Sequence, residues 1–262
     1  MTIEGFVHVT NQPPPPPSSY FYRLFSTFYA RVSSTFRASV PLEEQARLER
    51  FPETDLALKA LHQLLNTEGQ FFGSNVVEQY LNVLWTEYPN KFCFRLDGVK
   101  YLPDCQKRPL EIAREIHRMV QEQPNLLYLA IPFDASQHHI VFLINREDRR
   151  VEYYDPLGDK PETRNVGYSL KEEVEAIAEL FFEDKSKVYV NPTAHQTCCF
   201  RCAIWGLLYI ERRLKGSSVE EIQSTTINDF EIDRYRKEII AGKIKTHALK
   251  LLNDLEAQEQ DG

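Results

Sequence analysis

Two short apolar runs, His139 to Ile144 and Val151 to Tyr154, joined by the charged turn Asn145 to Arg150, constrain this chain more than any other feature. Short β-branched and aromatic runs on either side of a polar turn read as adjacent strands. His138 and His139 stand where the first strand begins, and Asp155, followed by Pro156-Leu157-Gly158, ends the second. Further on, Gln196-Thr197-Cys198-Cys199-Phe200-Arg201-Cys202 leads into Ala203-Ile204-Trp205-Gly206-Leu207-Leu208. That run reads as a buried helix from Cys202 to Leu214, broken before Gly216. In chain order the segments supply a base, an acid to orient it, an amide donor and a thiol, the parts of a cysteine-nucleophile acyl-transfer site. Asp155 follows His138 by seventeen residues, room for one strand, a turn and a second strand. Gln196 precedes Cys202 by six, close enough to set an amide beside the thiol.

Each residue has a plainer reading to be weighed. A lone cysteine is usually a small buried hydrophobe. At the start of a helix, however, unpaired backbone amides and the helix dipole favour the thiolate. The base is His138 or His139. Successive strand residues point to opposite faces, and the one that starts the strand at the sheet edge is better placed to reach a helix N-terminus. Asp155 can fix the imidazole tautomer, though Asp before Pro is also a common turn cap. Gln196 can donate to a developing oxyanion, or be a solvated loop residue. His195, Cys198, Cys199 and Cys202 crowd together like zinc ligands. Adjacent cysteines fit neighbouring tetrahedral positions poorly, and no second pair lies at finger spacing. A Cys199/Cys202 redox pair lacks its βαβ context. Neither metal nor cofactor is expected.

At 262 residues, 42% hydrophobic, the chain suits one sizeable domain with appendages. The polyproline tract Pro13 to Pro17 closes a Pro-rich leader, residues 1–19. In the arm, residues 20–50, Phe21, Leu24, Phe25, Phe28, Val32 and Phe36 recur at helical spacing, with Arg23, Arg31 and Arg37 the only charges between Tyr20 and Val40. Residues 20–37 read as a latch helix or partner-docking arm, with membrane-surface contact as the competing reading. Residues 51–255 form the expected catalytic domain, and 256–262 a flexible tail. Helices are expected around Leu56 to Leu65, Val76 to Leu84, Leu110 to Gln121, Leu170 to Phe182 and over most of Val219 to Leu255. Further strands are expected at Cys93 to Tyr101, Leu126 to Ile131 and Val188 to Val190. The fold class is therefore α+β, a central mixed sheet flanked by helices. A net charge of −7 argues against a nucleic-acid binder. Five cysteines, an odd number, point to a reducing, cytoplasmic compartment rather than a disulfide scaffold. No apolar run approaches the roughly 18 residues that span a bilayer, and Met1 to Thr10 does not read as a signal peptide.

These segments resemble a clan of cysteine proteases that includes the adenovirus-type protease and the proteases specific for ubiquitin-like proteins such as SUMO and NEDD8. The clan writes His-Trp on a strand, an acid at the same distance, then Gln, then Asp-Cys-Gly opening a helix. His138, Asp155, Gln196 and Cys202 match these positions, and Tyr153-Tyr154-Asp155-Pro156-Leu157-Gly158 is close to its acidic segment. Upstream, Phe71 to Leu84 is similar to the Trp-Leu-x-Asp-x-Ile-Ile-x-x-Tyr-Met-x-x-Leu opening of the SUMO-protease branch. The resemblance implies the papain-like adenain/SUMO-protease fold. It also implies a cofactor-free (iso)peptidase that removes ubiquitin or a ubiquitin-like modifier, whose Gly-Gly tail passes Phe71, Ser74 and His139. The chain departs from the pattern with His139 and Phe71 for Trp, Ser74 for Asp, and Arg201-Cys202-Ala203 for Asp-Cys-Gly. Such divergence resembles bacterial effectors and large DNA-virus members that act inside a host cell, and implies an altered modifier preference. An acetyltransferase effector using acetyl-CoA, and a weakened binder of ubiquitin-like proteins, are the alternatives that share this residue order.

Overall fold

The run beginning at His139 is the middle strand of a five-stranded sheet in the computed structural model, which describes residues 74–94, 107–135, 138–164, 166–196, 201–247 and 250. Helix α1 (Ser74–Glu87) is followed by β1 (Phe92–Phe94), α2 (Pro109–Gln121), β2 (Tyr128–Asp134), β3 (His139–Asn145) and β4 (Arg150–Tyr154). A 3₁₀ turn (Pro161–Thr163), α3 (Leu170–Phe182) and β5 (Val188–Val190) come next. The chain then forms α4 (Cys202–Leu214), α5 (Val219–Ser224), α6 (Asp229–Arg234) and a π-helical turn (Tyr235–Ile240), with helical backbone on to residue 247. The sheet order is β1-β2-β3-β4-β5, with parallel pairs at the edges and antiparallel pairs at the centre. This is the mixed sheet of the expected α+β class.

Both faces of the sheet are covered. Val141, Leu143, Ala130 and Tyr154 pack with α1 and α4, while Ile140, Phe142, Ile144, Leu129 and Tyr153 pack with α2 and α3. Every residue of β3 is buried, which is why its sequence is a continuous apolar run rather than an alternation. The expected strand at Leu126 to Ile131 begins later, at Tyr128, and continues through Pro132 to Asp134. A proline fits there because β1 pairs only with Tyr128 to Ala130, so Pro132 lacks a ladder partner on its outer side among the described residues. The long charged helix expected after Val219 is interrupted between Ser224 and Asp229, where Ser218 and Asn228 each start a separate helix with a complete capping box. The leader, the arm, the helix around Leu56 to Leu65, the part of the Cys93 strand beyond Phe94 and the tail lie outside the described residues.

The placement of α4 matters most for function. A Cβ on Gly206 would lie 2.9 Å from Cγ2 of Val141, closer than carbon atoms normally approach, so glycine is what lets the helix lie directly on β3. Nearer its C-terminal end, α4 is held by charge. Glu152 of β4 is fully buried and accepts from Tyr209 Oη at 2.6 Å, from Arg213 Nε at 3.0 Å and Arg213 Nη2 at 2.9 Å, and from Asn145 Nδ2 at 2.9 Å. The outer side of α4 carries a second buried carboxylate, Glu211, which accepts from Tyr80 Oη at 2.7 Å, Lys243 Nζ at 3.0 Å and the hydroxyl of Tyr235. Burial alone would raise its pKa. Bonds from Lys215, Tyr235, Tyr80 and Lys243 outweigh that and hold it at about 2.

Removing one partner of a buried pair strands the other. Glu152→Ala should therefore cost about 3 kcal/mol or more in urea unfolding, with the m-value unchanged. A loss below about 1 kcal/mol would show that packing alone holds α4.

Candidate active site

β3 and β4 are antiparallel, and Val141 pairs with Tyr154, so the start of one strand and the end of the other meet at the same end of the sheet. His138, one residue before β3, and Asp155, one residue after β4, meet there. His138 Nε2 lies 2.8 Å from Asp155 Oδ1. A carboxylate only accepts, so Nε2 carries the proton and Nδ1 is left for another partner. Cys202 acts on the same imidazole, its side chain and charge both favouring the protonated ring. Of the two candidate bases, His138 is thus the one joined to both acid and thiol. His139 is buried as the first residue of β3, paired in register with Asp134.

The Asp155 carboxylate is fully buried and accepts two further hydrogen bonds. Oδ1 also accepts from the Leu157 amide at 2.9 Å, and Oδ2 from Arg164 Nε at 2.8 Å. Burial by itself would raise its pKa. The bond and charge of His138, then the Arg164 and Leu157 bonds, outweigh that and hold the carboxyl below its ordinary range. For His138 the signs reverse: burial disfavours the imidazolium, but the bonds to Asp155 and Cys202 and the attraction of both groups raise it to about 9.

Cys202 is the first residue of α4 and is 1% exposed. The residue is closed off from bulk water and stands where a helix N-terminus leaves backbone amides free. Arg201, where the chain departs from the clan's pattern, is paired in bidentate fashion with Asp233 of α6 at 3.2 Å and 2.9 Å. Gln196 is buried, and its backbone is tied to the turn that carries the acid. The amides of His195 and Gln196 both donate to the Pro156 carbonyl at 2.9 Å. Gly158, at φ +71°, lies so close to this segment that a Cβ would sit 2.7 Å from the Ala194 amide nitrogen. Only glycine satisfies both the backbone angle and the contact.

Two residues that sequence reasoning missed complete the arrangement. Arg164 bridges Asp155 and Asp159, with its Nη2 2.8 Å from Asp159 Oδ2. Asn191, fully buried, donates from Nδ2 to the carbonyls of Asp155 and Thr193, both at 2.9 Å, while its own amide donates to Tyr153 O. The Asn191-Pro192 dipeptide is a turn signal that pointed to the first bend after β5. No local signal marked Arg164, because it reaches Asp155 only through the 3₁₀ turn between them.

Of the expected tail-contact residues, Phe71 lies outside the described residues. Ser74 opens α1, with its side chain outside them as well. Cys198 and Cys199 also fall outside. His195, weighed above as a zinc ligand, has both ring nitrogens engaged, with Tyr154 Oη and with the Ile222 carbonyl. Among the described residues no group of three or more His, Cys, Asp or Glu side chains could hold a metal, and no helix is long and apolar enough to cross a membrane.

A search of curated protein sequences found no match. Solved structures show the same fold. The yeast Ulp1 protease domain, in complex with the yeast SUMO ortholog Smt3, is 14% identical with a TM-score of 0.50, over 76% of this chain and 96% of that one. The SUMO protease Ulp1 with its catalytic cysteine oxidized to a sulfinic acid is 15% identical, TM-score 0.51, over 76% and 95%. The ASFV protease is 14% identical, TM-score 0.50, over 88% and 92%. The sequence profile of the Ulp1 protease family, C-terminal catalytic domain, matches residues 54–251. The chain, with its thiol, imidazole and carboxylate joined at one end of that fold, belongs to the Ulp1 family of cysteine proteases.

Proposed function

We propose that this protein is a cysteine (iso)peptidase that removes ubiquitin or a ubiquitin-like modifier from its conjugates. One observation carries the reading: His138 is hydrogen-bonded to a buried carboxylate and is electrostatically coupled to Cys202 at the start of a helix, in a site almost sealed from solvent. A cysteine 1% exposed is reached only by a narrow, extended acyl group. A Gly-Gly tail is such a group. The Smt3 complex of yeast Ulp1 supplies a relative of this fold that holds a modifier of this class.

In this mechanism the Cys202 thiolate attacks the carbonyl of the terminal glycine, with the His138 imidazolium beside it. The amide of Gln196 and the Cys202 backbone N–H stabilise the oxyanion. As the tetrahedral intermediate collapses, the C–N bond breaks, and His138 gives its Nδ1 proton to the leaving lysine amine. A thioester remains on Cys202. Water, deprotonated by His138, attacks it and releases the modifier as its free carboxylate. Asp155 holds the ring throughout, and no metal or cofactor takes part.

The substrate class is tested by incubating the protein with ubiquitin, SUMO and NEDD8 that each carry a C-terminal electrophile. A covalent adduct with at least one, lost in Cys202→Ala, is expected. No adduct with any of the three overturns the modifier reading, and autoacetylation by acetyl-CoA in its place would identify an acetyltransferase.

The pH dependence follows from the sign of the histidine shift. The imidazolium persists up to about 9 rather than the ordinary 6.5, so kcat/KM should hold through neutral pH and fall along an alkaline limb near 9. In Asp155→Asn the carbonyl still accepts from Nε2 but the negative charge is gone, so the limb should move down toward 6.5. Folding stability carries the same signature. The His138 contribution is complete below 6.5 and is lost as pH rises through about 9. That of Asp155 is lost at acid pH, as its carboxyl becomes protonated. An alkaline limb unmoved in Asp155→Asn would remove the acid from the triad.

A further inference from the structure

His195 is a half-buried aromatic that the mechanism above does not use. Its ring lies between Tyr154 of β4, 5.8 Å away between centroids with 25° between planes, and Trp205 of α4, at 5.3 Å and 26°. Tyr154 stacks in turn on Tyr209 at 4.1 Å. Nε2 lies 3.1 Å from the Ile222 carbonyl in α5, and a carbonyl only accepts, so the proton sits on Nε2. Nδ1 is then an acceptor, and the Tyr154 hydroxyl, 3.2 Å away, donates to it. Burial, and to a lesser degree Arg212, lower the pKa of this ring against the opposing bond to Ile222. The neutral form that this hydrogen-bond pattern needs is therefore the one present at working pH.

A single side chain thus joins β4, α4 and α5, and the next residue in the chain is Gln196. Tyr154 precedes the acid, Trp205 is one helical turn past the thiol, and His195 precedes the amide donor. Glutamine has a long side chain with many rotamers, and it stands on a connecting segment, where backbone is least restrained. An oxyanion donor works only when held within a few tenths of an ångström of its target. Phenylalanine at position 195 could stack but not hydrogen-bond, and asparagine could hydrogen-bond but not stack; histidine does both.

We propose that His195 is a positioning residue for Gln196, fixing the backbone of the oxyanion donor against β4 and α4 without touching substrate. The inference rests on the reading of Gln196 as oxyanion donor given above.

The test pairs two reagents that need different parts of the site, on the full chain. p-Nitrophenyl acetate requires the thiol and oxyanion stabilisation but no modifier. Iodoacetamide requires the thiol alone. His195→Phe keeps the stack and removes both hydrogen bonds, while Tyr154→Phe removes one. Gln196→Ala should slow esterolysis by about 10²-fold or more. His195→Phe should slow it by about tenfold to 10²-fold, Tyr154→Phe by less, with alkylation rates and Tm close to those of the unmodified protein. Because His195 acts through Gln196, the combined His195→Phe, Gln196→Ala variant should be no slower than Gln196→Ala alone. Unchanged esterolysis in His195→Phe overturns the inference. So does a parallel fall in alkylation, which marks a merely structural role, or a combined effect equal to the product of the two. If Gln196→Ala leaves esterolysis intact, the oxyanion assignment fails and takes this inference with it. Failure of the modifier panel touches neither.

Discussion

Catalytic geometry in this protein depends on how closely one helix lies against one strand. Cys202 is the first residue of α4, so any tilt or slide of that helix moves the sulfur. Two contacts of different physical kinds prevent this. At Gly206 the absence of a Cβ lets the helix backbone reach Val141. One and two turns on, the Glu152 carboxylate ties Tyr209 and Arg213 to the neighbouring strand. The first sets the distance and the second sets the rotation and register. Packing alone would leave register loose, because apolar side chains tolerate sliding. A buried carboxylate tolerates none, because a displaced partner leaves an uncompensated charge.

The remaining parts converge because of strand direction. The antiparallel β3–β4 pair brings the start of one strand beside the end of the other, and the parallel β4–β5 pair sends the chain after Val190 out at the same end. His138, Asp155 and the segment from Asn191 to Gln196 therefore emerge together, and α4 begins there. A slip of one residue in the β3–β4 register would turn the flanking side chains to opposite faces and separate base from acid. The backbone bonds from His195 and Gln196 to Pro156 lock the third part to the second.

Much of this is visible in the amino-acid order, for identifiable reasons. The spans Leu170–Phe182, Val188–Val190 and Cys202–Leu214 read directly, since each is a periodic or short apolar run ended by a turn-forming residue or a capping position. His138, Asp155 and Cys202 are legible because hairpin length and helix onset constrain them locally. Arg164 and Asn191 are not, since their value comes from contacts made only once the turn after Asp155 has folded back. The same holds for Glu152. In sequence it is one charged residue in a strand; in the fold it is a buried anchor whose partners lie up to 61 residues away. The π-helical turn at Tyr235–Ile240 likewise has no local signature. There Tyr235 reaches Glu211 across the helix layer, a contact that depends on α4 being in place.

The sign reversal beside Cys202 shows how the fold absorbs a change in pattern. In the clan this chain resembles, an aspartate precedes the cysteine; here Arg201 does, and α6 brings Asp233 against it. The Arg201 hydrogen bond, more than its charge, holds the Asp233 carboxyl below its usual range despite some desolvation. The pair is thus ionised on both sides and adds little net charge next to the thiol. What lies nearest the Cys202 side chain is then the helix N-terminus and the His138 ring. Matched by Asp233, the arginine fastens α6 to the start of α4. Asp233, 32 residues away, thus supplies the carboxylate that the arginine at position 201 pairs with.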